Sequence, residues 1–238
     1  MILPAPITYN MRMKWPVLFF DLDDTLYPKT NGLWEAIRSR MSDYLLDPLG
    51  FPPEEIQSIR RHYFETYGTT LRGLQINHSV DADEYLAYVH DLPLDNYISP
   101  DLELQELLNS LPQQKWILTN SDANHATRVL NILGLEDCFS GIIDVRALDF
   151  LCKPEKEAYQ RALNVAGITD PASCVLFEDS LRNLLPAHEF GLTTVLVGTE
   201  EKQAGVDYAI KNLLDLPQVI PQLWERDLTD ISSKQDGS

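Results

Sequence analysis

The feature that most constrains the fold is an apolar stretch, Val17–Phe20, that runs directly into the acidic segment Asp21–Asp24. Four consecutive apolar residues are typical of a buried strand in a parallel sheet. Open α/β sheets bind ligands at the carboxyl ends of their strands. Three carboxylates this close together repel one another unless a cation or a shared proton neutralises them. The stretch therefore predicts a strand ending in a charged site, with a simple acidic turn as the alternative.

Length and charge limit the possible partners. The 238 residues suffice for one large domain or for a core with an insert, and a hydrophobic content of 44% allows a sizeable core. The formal net charge is −17, from 36 acidic residues against 19 Lys plus Arg. Such a surface repels phosphodiester backbones and anionic lipids. We therefore expect neither nucleic-acid polymers nor membranes as partners, and an anionic small molecule would need a local positive group.

Several features favour a cytoplasmic location. No run approaches the ~18 apolar residues of a membrane helix. The segment Met1–Lys14 lacks the basic-then-apolar order of a signal peptide. Cys138, Cys152 and Cys174 show no C-x-x-C spacing, which fits a reducing compartment. The scattered histidines give little support to a His-based zinc site.

Residues 29–98 show helical periodicity without an intervening strand. Apolar residues recur at helical spacing in three segments, around Ile37, Ile59 and Leu86, with Pro and Gly between them. A plain βαβ step takes only ~30 residues, so we expect this block to be an all-helical insert. It follows the acidic segment directly and is placed to cover the strand ends as a lid.

From residue 99 the pattern changes to helix–strand alternation. The predicted strands are 115–118, 141–145, 173–177, 193–197 and a short one at 208–210, and the predicted helices are 102–111, 123–133, 154–166, 181–190 and 213–224. Such alternation predicts an α/β fold with a doubly wound, Rossmann-like parallel sheet. We expect a core of residues 1–28 and 99–226, with a loose leader over 1–14, the helical domain 29–98, and a polar, frayed tail 227–238.

Four predicted strands share one property, because each is followed by residues that can carry chemistry. These residues are Asp21 and Asp23 after the first strand, Thr119 and Asn120 after the second, Lys153 after the third, and Glu178 and Asp179 after the fourth. The carboxyl ends of parallel strands lie at one edge of the sheet, so these side chains are expected to converge. Singly, each has a plainer interpretation as a turn, a solvated loop lysine or an acidic helix N-terminus.

Together these residues suit phosphoryl transfer through an aspartyl-phosphate. Asp21 would attack phosphorus, and Asp23 would protonate the leaving oxygen and then activate water. Thr119 would hold phosphoryl oxygens, and Lys153 would supply positive charge to the transferring group. The net reaction would be hydrolysis of a small phosphate monoester.

The same residues suit a Mg²⁺ cofactor. Magnesium prefers oxygen ligands and keeps several of its waters, so few protein ligands are needed. We expect Asp21, Asp179 and the backbone carbonyl of Asp23 to ligate the ion directly.

The chain resembles the haloacid dehalogenase-like (HAD) hydrolase superfamily from about residue 17 to about residue 198. The four matching motifs are Asp21–Thr25, Thr119-Asn120, Lys153-Pro154 and Glu178-Asp179-Ser180. The resemblance implies a Rossmann-like core and a cap domain formed by the inserted helices. Dehalogenases of the superfamily lack the second aspartate, so the presence of Asp23 implies a phosphatase or phosphomutase.

Within the superfamily the chain is most similar to the pyrimidine 5′-nucleotidase branch. The segments that carry this similarity are 21–27, 67–74 and 119–126. The resemblance implies nucleoside monophosphates such as UMP or CMP as substrates. This branch often has Asp where the chain has Glu178; the difference concerns only an outer-shell contact to the metal and leaves Asp179 as the direct ligand.

Three further residues are candidates for substrate binding. Asn120 follows the second strand, and Arg72 in the insert has a rigid fork that suits phosphate or base carbonyls. His125 lies on the helix after the second strand and is expected to face the site. A salt-bridged surface arginine and a surface histidine are the alternatives for Arg72 and His125.

Three other functions use a similar set of residues. A HAD sugar phosphatase or phosphomutase would share the core and differ in the cap. A phospho-accepting receiver domain also combines acidic residues, Thr and Lys on a parallel sheet, but places the acidic pair and the phospho-acceptor on separate strands and needs no long lid. The third alternative is a non-catalytic binding module.

Overall fold

A computed structural model of the chain describes residues 10–225 and 227–229. Within these residues the strands are β1 (Asn10–Arg12), β2 (Val17–Phe20), β3 (Gln114–Leu118), β4 (Gly141–Ile143), β5 (Cys174–Glu178), β6 (Thr193–Val197), β7 (Tyr208–Ile210) and β8 (Asp227–Thr229). Six of them form one sheet in the order β4-β3-β2-β5-β6-β7, and every neighbouring pair is parallel. The predicted α/β class with a doubly wound parallel sheet is confirmed.

The helices divide into an inserted group and a group that alternates with strands. They are α1 (Leu33–Leu46), α2 (Pro53–Tyr67), α3 (Thr70–His78), α4 (Ala82–Val89), α5 (Leu102–Ser110), α6 (Ala123–Leu133), α7 (Lys156–Val165), α8 (Leu181–Phe190) and α9 (Leu216–Val219). The first four lie between β2 and β3, so the insert is helical as predicted. The domain boundaries at residues 28 and 98 remain predictions.

Strand β2 occupies the centre of the sheet and is fully buried. Its last residue, Phe20, pairs in register with Ile117 of β3 on one side and Phe177 of β5 on the other. Successive side chains of a strand point to opposite faces, so Phe20 stacks on Phe177 while Phe19 packs into the cluster on the other face. The central position carries the following acidic segment to the middle of the carboxyl edge.

Two predicted helices differ from the observed ones. The helix expected over 154–166 begins at Lys156, because residues 152–155 form a turn in which the Glu155 amide bonds the Cys152 carbonyl. The helix expected over 213–224 is broken into 3₁₀ segments on either side of α9. Pro217 and Pro221 lack the amide hydrogen that a continuous helix requires.

The ends of the chain pair with each other where a loose leader and a frayed tail were predicted. Strands β1 and β8 form a separate antiparallel pair, with Asn10 opposite Thr229 and Arg12 opposite Asp227. The rest of the predicted leader and tail, residues 1–9 and 230–238, lies outside the described residues, as does residue 226. None of the described helices combines the length and the apolar character needed to cross a bilayer.

The inserted helices have a core of their own. Tyr63, Leu71, Leu74, Tyr85 and Leu86 belong to one buried cluster formed largely by α1–α4. The insert is therefore stabilised by its own apolar contacts in addition to its contacts with the sheet domain.

We expect Gly73→Ala to lower the free energy of unfolding by about 1–3 kcal/mol through overpacking between α2 and α3. A Cβ atom at position 73 would lie 2.5 Å from the Cβ of Tyr63, an atom that cannot move without its helix. This clash outweighs the gain of up to about 1 kcal/mol that Ala brings to a helix interior. Urea unfolding measures the difference.

The matched control is Ile76→Ala in the same helix, where the side chain is 52% exposed. It should cost less than Gly73→Ala because little packing is lost. A Gly73→Ala protein as stable as the wild type would contradict the tight contact between the two helices.

Candidate active site

Acidic residues from two neighbouring strands meet at the carboxyl edge of the sheet. Asp21, Glu178 and Asp179 each offer a carboxylate oxygen, and these oxygens all lie within 4.8 Å of one another. The Asp21 amide donates to the Phe177 carbonyl at 2.9 Å, which extends the β2–β5 ladder by one residue. Strand register therefore holds Asp21 beside Glu178.

Lys153 lies at the centre of this cluster, with only 1% of its surface exposed. Its ammonium group donates to Asp21 Oδ1 at 2.6 Å and to Glu178 Oε2 at 2.7 Å. It also donates to the Leu118 carbonyl at the end of β3, at 2.7 Å. All three ammonium hydrogens are thus used, and one side chain joins the ends of three strands.

The protonation equilibria show an excess of negative charge in the cluster. Burial raises the pKa of Asp21 and Lys153 lowers it, and with the further effect of Asp179, which raises it, the pKa is about 6. Burial and the nearby Asp21 also raise the pKa of Glu178 well above its ordinary value. Burial alone would lower the pKa of Lys153, but Asp21 and Glu178 raise it above its ordinary value. Lys153 therefore stays charged and only partly offsets its neighbours.

Asn120 binds the backbone of Lys153. Its Nδ2 donates to the Lys153 carbonyl at 2.9 Å, and its Oδ1 accepts from the Lys153 amide at 2.8 Å. Both ends of the carboxamide therefore hold the loop that carries Lys153. The predicted contact of Asn120 with substrate stays a prediction. Thr119 is buried next to it, and its hydroxyl oxygen accepts from the Ser121 amide at 3.0 Å.

Asp23 is held by three donors. Tyr27 Oη and His125 Nε2 donate to its Oδ1 at 2.5 and 2.9 Å, and Ser121 Oγ donates to its Oδ2 at 2.8 Å. Burial raises the pKa of Asp23, but His125 and Tyr27 outweigh this effect and hold it well below its usual range. The four side chains form a connected polar group beside the acidic cluster.

His125 lies inside the protein rather than on its surface. Asp122 caps α6 by accepting from the Asn124 and His125 amides, and this fixes the first turn of the helix with the imidazole buried. The ring contacts Asp23, and only 1% of the residue's surface is exposed. The predicted substrate contact of His125 stays a prediction.

Arg72 is half-buried at the start of α3. Burial raises the pKa values of Cys152 and Glu155, and the positive charge of Arg72 offsets part of this rise. Arg72 therefore lies near the loop that carries Lys153, on the side of the inserted helices. Its predicted substrate contact stays a prediction.

Besides Tyr27 and Ser121, which bind Asp23, sequence reasoning missed three residues around the site. Lys29 Nζ lies 2.7 Å from Asp179 Oδ2 and is 57% exposed. Arg182 on α8 donates to the Phe64 carbonyl at the end of α2 at 2.8 Å, and His90 stacks on His125. The position of Lys29 soon after the acidic segment could have indicated its contact, whereas Arg182 and His90 carry no local signal.

A cleft of about 750 Å³ opens beside the site, between α4 and the start of α6. Its lining includes His90, His125, Arg128 and Arg146, but none of the residues of the acidic cluster. The cleft therefore borders the Asp23 side of the site.

The chain matches a family model for haloacid dehalogenase-like hydrolases over residues 15–191. It belongs to this family. Phosphate metabolism protein 8 of Saccharomyces cerevisiae is 32% identical to this HAD hydrolase over 201 residues, which cover 79% of the chain and 63% of that protein. The chain thus spans less than two thirds of that relative's length.

Two solved structures share the fold of this HAD hydrolase. A HAD phosphatase from Thermococcus onnurineus has a TM-score of 0.58 at 19% identity, with 85% of this chain and 96% of that chain covered. The HAD hydrolase YfnB of Bacillus subtilis, solved with magnesium, has a TM-score of 0.57 at 17% identity, with 86% and 98% covered.

We expect the contribution of Asp21 to the stability of this HAD hydrolase, freed of metal with EDTA, to fall as the pH rises from about 4 to about 6. The folded-state pKa of Asp21 is about 6, above the ~4 of an unfolded chain, so the folded form binds the proton more tightly. Asp21→Asn should reduce this fall by roughly 1–3 kcal/mol. Urea unfolding at about pH 4.5 and about pH 7 measures it.

The control is Asp43→Asn, which alters an exposed carboxylate on α1. Its unfolding should follow the wild-type pH dependence. An Asp21→Asn protein with the same pH dependence as the wild type would contradict the burial effect on Asp21.

Proposed function

We propose that this HAD hydrolase is a Mg²⁺-dependent phosphatase that cleaves small phosphate monoesters through an aspartyl-phosphate on Asp21. The observation that carries the proposal is the buried Lys153 ammonium, which bonds Asp21 and Glu178 beside Asp179. A nucleophilic carboxylate, a fixed positive charge and a group of oxygen ligands then lie within one small volume, as phosphoryl transfer requires.

We propose nucleoside 5′-monophosphates, UMP or CMP foremost, as the substrates. The support is the similarity of segments 21–27, 67–74 and 119–126 to the pyrimidine 5′-nucleotidase branch. The yeast relative, whose name places it in phosphate metabolism, is consistent with a phosphatase. In this proposal residues 29–98 form the cap that faces the substrate, and residues 1–28 and 99–226 form the catalytic core.

The carboxylate group at the carboxyl edge fits a divalent cation, because three oxygen ligands lie within 4.8 Å of one another and carry excess negative charge. Asp21, Asp179 and the Asp23 backbone carbonyl would hold Mg²⁺, with Glu178 in its outer shell. When bound, the ion would neutralise repulsion between the Asp21 carboxylate and the phosphate anion.

The protein residues would carry out two displacements at phosphorus. In the first, an Asp21 oxygen bonds to phosphorus while the ester P–O bond breaks. The leaving oxygen takes a proton from Asp23, whose protonated form the negative charge of the bound phosphate would favour. In the second, Asp23 takes a proton from water as the water oxygen attacks the aspartyl-phosphate, which releases phosphate and restores Asp21. Lys153 orients the Asp21 carboxylate and offsets charge, and Thr119 holds a phosphoryl oxygen.

We expect the wild type to release phosphate fastest from UMP or CMP in a panel of nucleotide and sugar monophosphates. Asp21→Asn should reduce release from every ester to the background rate, because the amide cannot act as the nucleophile. A phosphate-release assay measures both, with Asp43→Asn as a matched control that keeps wild-type activity.

Faster release from sugar phosphates would replace the nucleotidase proposal by a sugar phosphatase. Turnover that survives in Asp21→Asn would remove Asp21 from the mechanism. Stable phosphoprotein without phosphate release would indicate a receiver.

We expect EDTA to stop turnover and excess Mg²⁺ to restore it. At a Mg²⁺ concentration 100 times its Kd, binding should also stabilise the folded wild type by about 2.7 kcal/mol. Asp179→Asn should lose most of this increase because it removes a ligand. Calorimetric Tm values with and without Mg²⁺ measure the effect, and full turnover in EDTA would contradict the metal requirement.

A further inference from the structure

The carboxyl group of Asp23 is bound from three separate segments of the chain. Tyr27 lies in the loop after β2, Ser121 in the loop after β3, and His125 in the first turns of α6. Donors from three directions restrict both rotations of a short side chain. The arrangement therefore fixes where Asp23 presents its oxygens.

In the region that the structure describes, the imidazole ring of His125 is held by one hydrogen bond instead of two. The Asp23 oxygen accepts, so Nε2 of His125 carries the hydrogen of the 2.9 Å bond. Its other ring nitrogen, Nδ1, is buried and has no hydrogen-bond partner among the described residues. A second hydrogen bond, the usual means of fixing an imidazole plane, is therefore absent within the described part of the chain.

A stacking contact takes the place of that bond. The rings of His90 and His125 lie 4.1 Å apart between centroids and only 16° from parallel. His90 is itself fixed, because its Nδ1 lies 2.6 Å from Asp122 Oδ2 and its carbonyl accepts from Arg128. Asp122 also caps α6. One connected set of contacts thus runs from the helix cap through both rings to Asp23.

We infer that His125, held in plane by His90, positions the Asp23 carboxyl for proton transfer to the leaving oxygen of the substrate. The inference rests on the proposed phosphatase function. His125 would act through Asp23, which its Nε2 contacts at 2.9 Å, so it is a positioning residue and not a catalytic one. His90 lies within the inserted segment and His125 in the sheet domain, so the insert takes part in arranging the acid.

The inference predicts an effect that depends on the leaving group. An alcohol such as the 5′-hydroxyl of a nucleoside needs a proton as its P–O bond breaks, whereas p-nitrophenolate leaves without one. A misplaced Asp23 should therefore slow cleavage of an alkyl ester much more than cleavage of p-nitrophenyl phosphate. The quantity kcat/KM reports only the steps up to departure of the leaving group, so the later hydrolysis of the aspartyl-phosphate does not obscure the comparison.

The experiment measures kcat/KM for UMP, or the fastest alkyl ester of the panel above, and for p-nitrophenyl phosphate. His125→Leu should lower the UMP value by about 10- to 100-fold and the p-nitrophenyl phosphate value by less than about 3-fold. His125→Gln should recover much of the loss, because its Nε2 can reach Asp23. His90→Ala should lower kcat/KM for UMP by about 2- to 10-fold, which is the effect expected from the loss of one aromatic contact.

Two further variants set the scale. Asp23→Asn should also lower kcat/KM more for UMP than for p-nitrophenyl phosphate, and by a larger factor, about 10²- to 10⁴-fold for UMP. His188→Gln alters a half-exposed histidine on α8 that contacts Asp207, and it should leave both values unchanged. Circular dichroism checks that each variant folds. If His125→Leu fails to fold, His125→Asn replaces it, because its shorter amide cannot reach Asp23.

The outcomes separate the inference from the proposed function. Equal losses on both esters in the His125 variants would show a merely structural role and overturn the inference, as would no loss on either. If Asp23→Asn is selective and the His125 variants are not, the inference fails while the phosphatase function stands. A wild-type protein that hydrolyses no ester overturns the function, and the inference with it.

Discussion

The site depends on one buried ammonium group placed between two buried carboxylates. Removing charges from water is costly, and a buried ion pair is tolerated only when its geometry and hydrogen bonding are good. Lys153 meets this condition, since each of its hydrogens has an acceptor at 2.6–2.7 Å. Loss of the ammonium would leave Asp21 and Glu178 buried and unpaired beside each other, so the same contact holds the strand ends and fixes the carboxylate proposed as the nucleophile.

The charges around this pair do not balance, because the cluster holds more carboxylates than cations. Asp179 adds a further carboxylate, and burial together with Asp179 raises the pKa of Asp24 to about 7. Lys29 supplies a cation at Asp179 from the more exposed side. In a chain with a net charge of −17, these local cations and a divalent ion are what would allow an anionic substrate to approach.

The inserted helices are fastened to the sheet domain close to the site. Arg182, three residues after Asp179, donates to carbonyls at the end of α2, including that of Phe64 at 2.8 Å. On the other side, Arg146 pairs with Asp83 of α4 and Arg128 binds the carbonyl of His90. These contacts link the arrangement of the insert both to the acidic end of β5 and to the residues that hold Asp23.

The sequence by itself determined what is encoded locally. The run Val17–Phe20, the alternation of helices and strands after residue 99 and the cap at Asp122 follow from periodicity and short-range hydrogen bonding, and the structure confirms them. The convergence of strand ends also followed, because parallel strands place their carboxyl ends at one edge. The breaks in the helix predicted over 213–224 are also local, because Pro217 and Pro221 each lack an amide hydrogen.

Only the tertiary structure decided how the side chains use these positions. Lys153 is a buried ion-pair partner and not a solvated loop residue, and Asn120 holds its backbone. His125 stacks on His90, a residue from the inserted segment. The physical reason is that such contacts depend on strand order and on packing between segments far apart in the chain, which no local pattern of residues records.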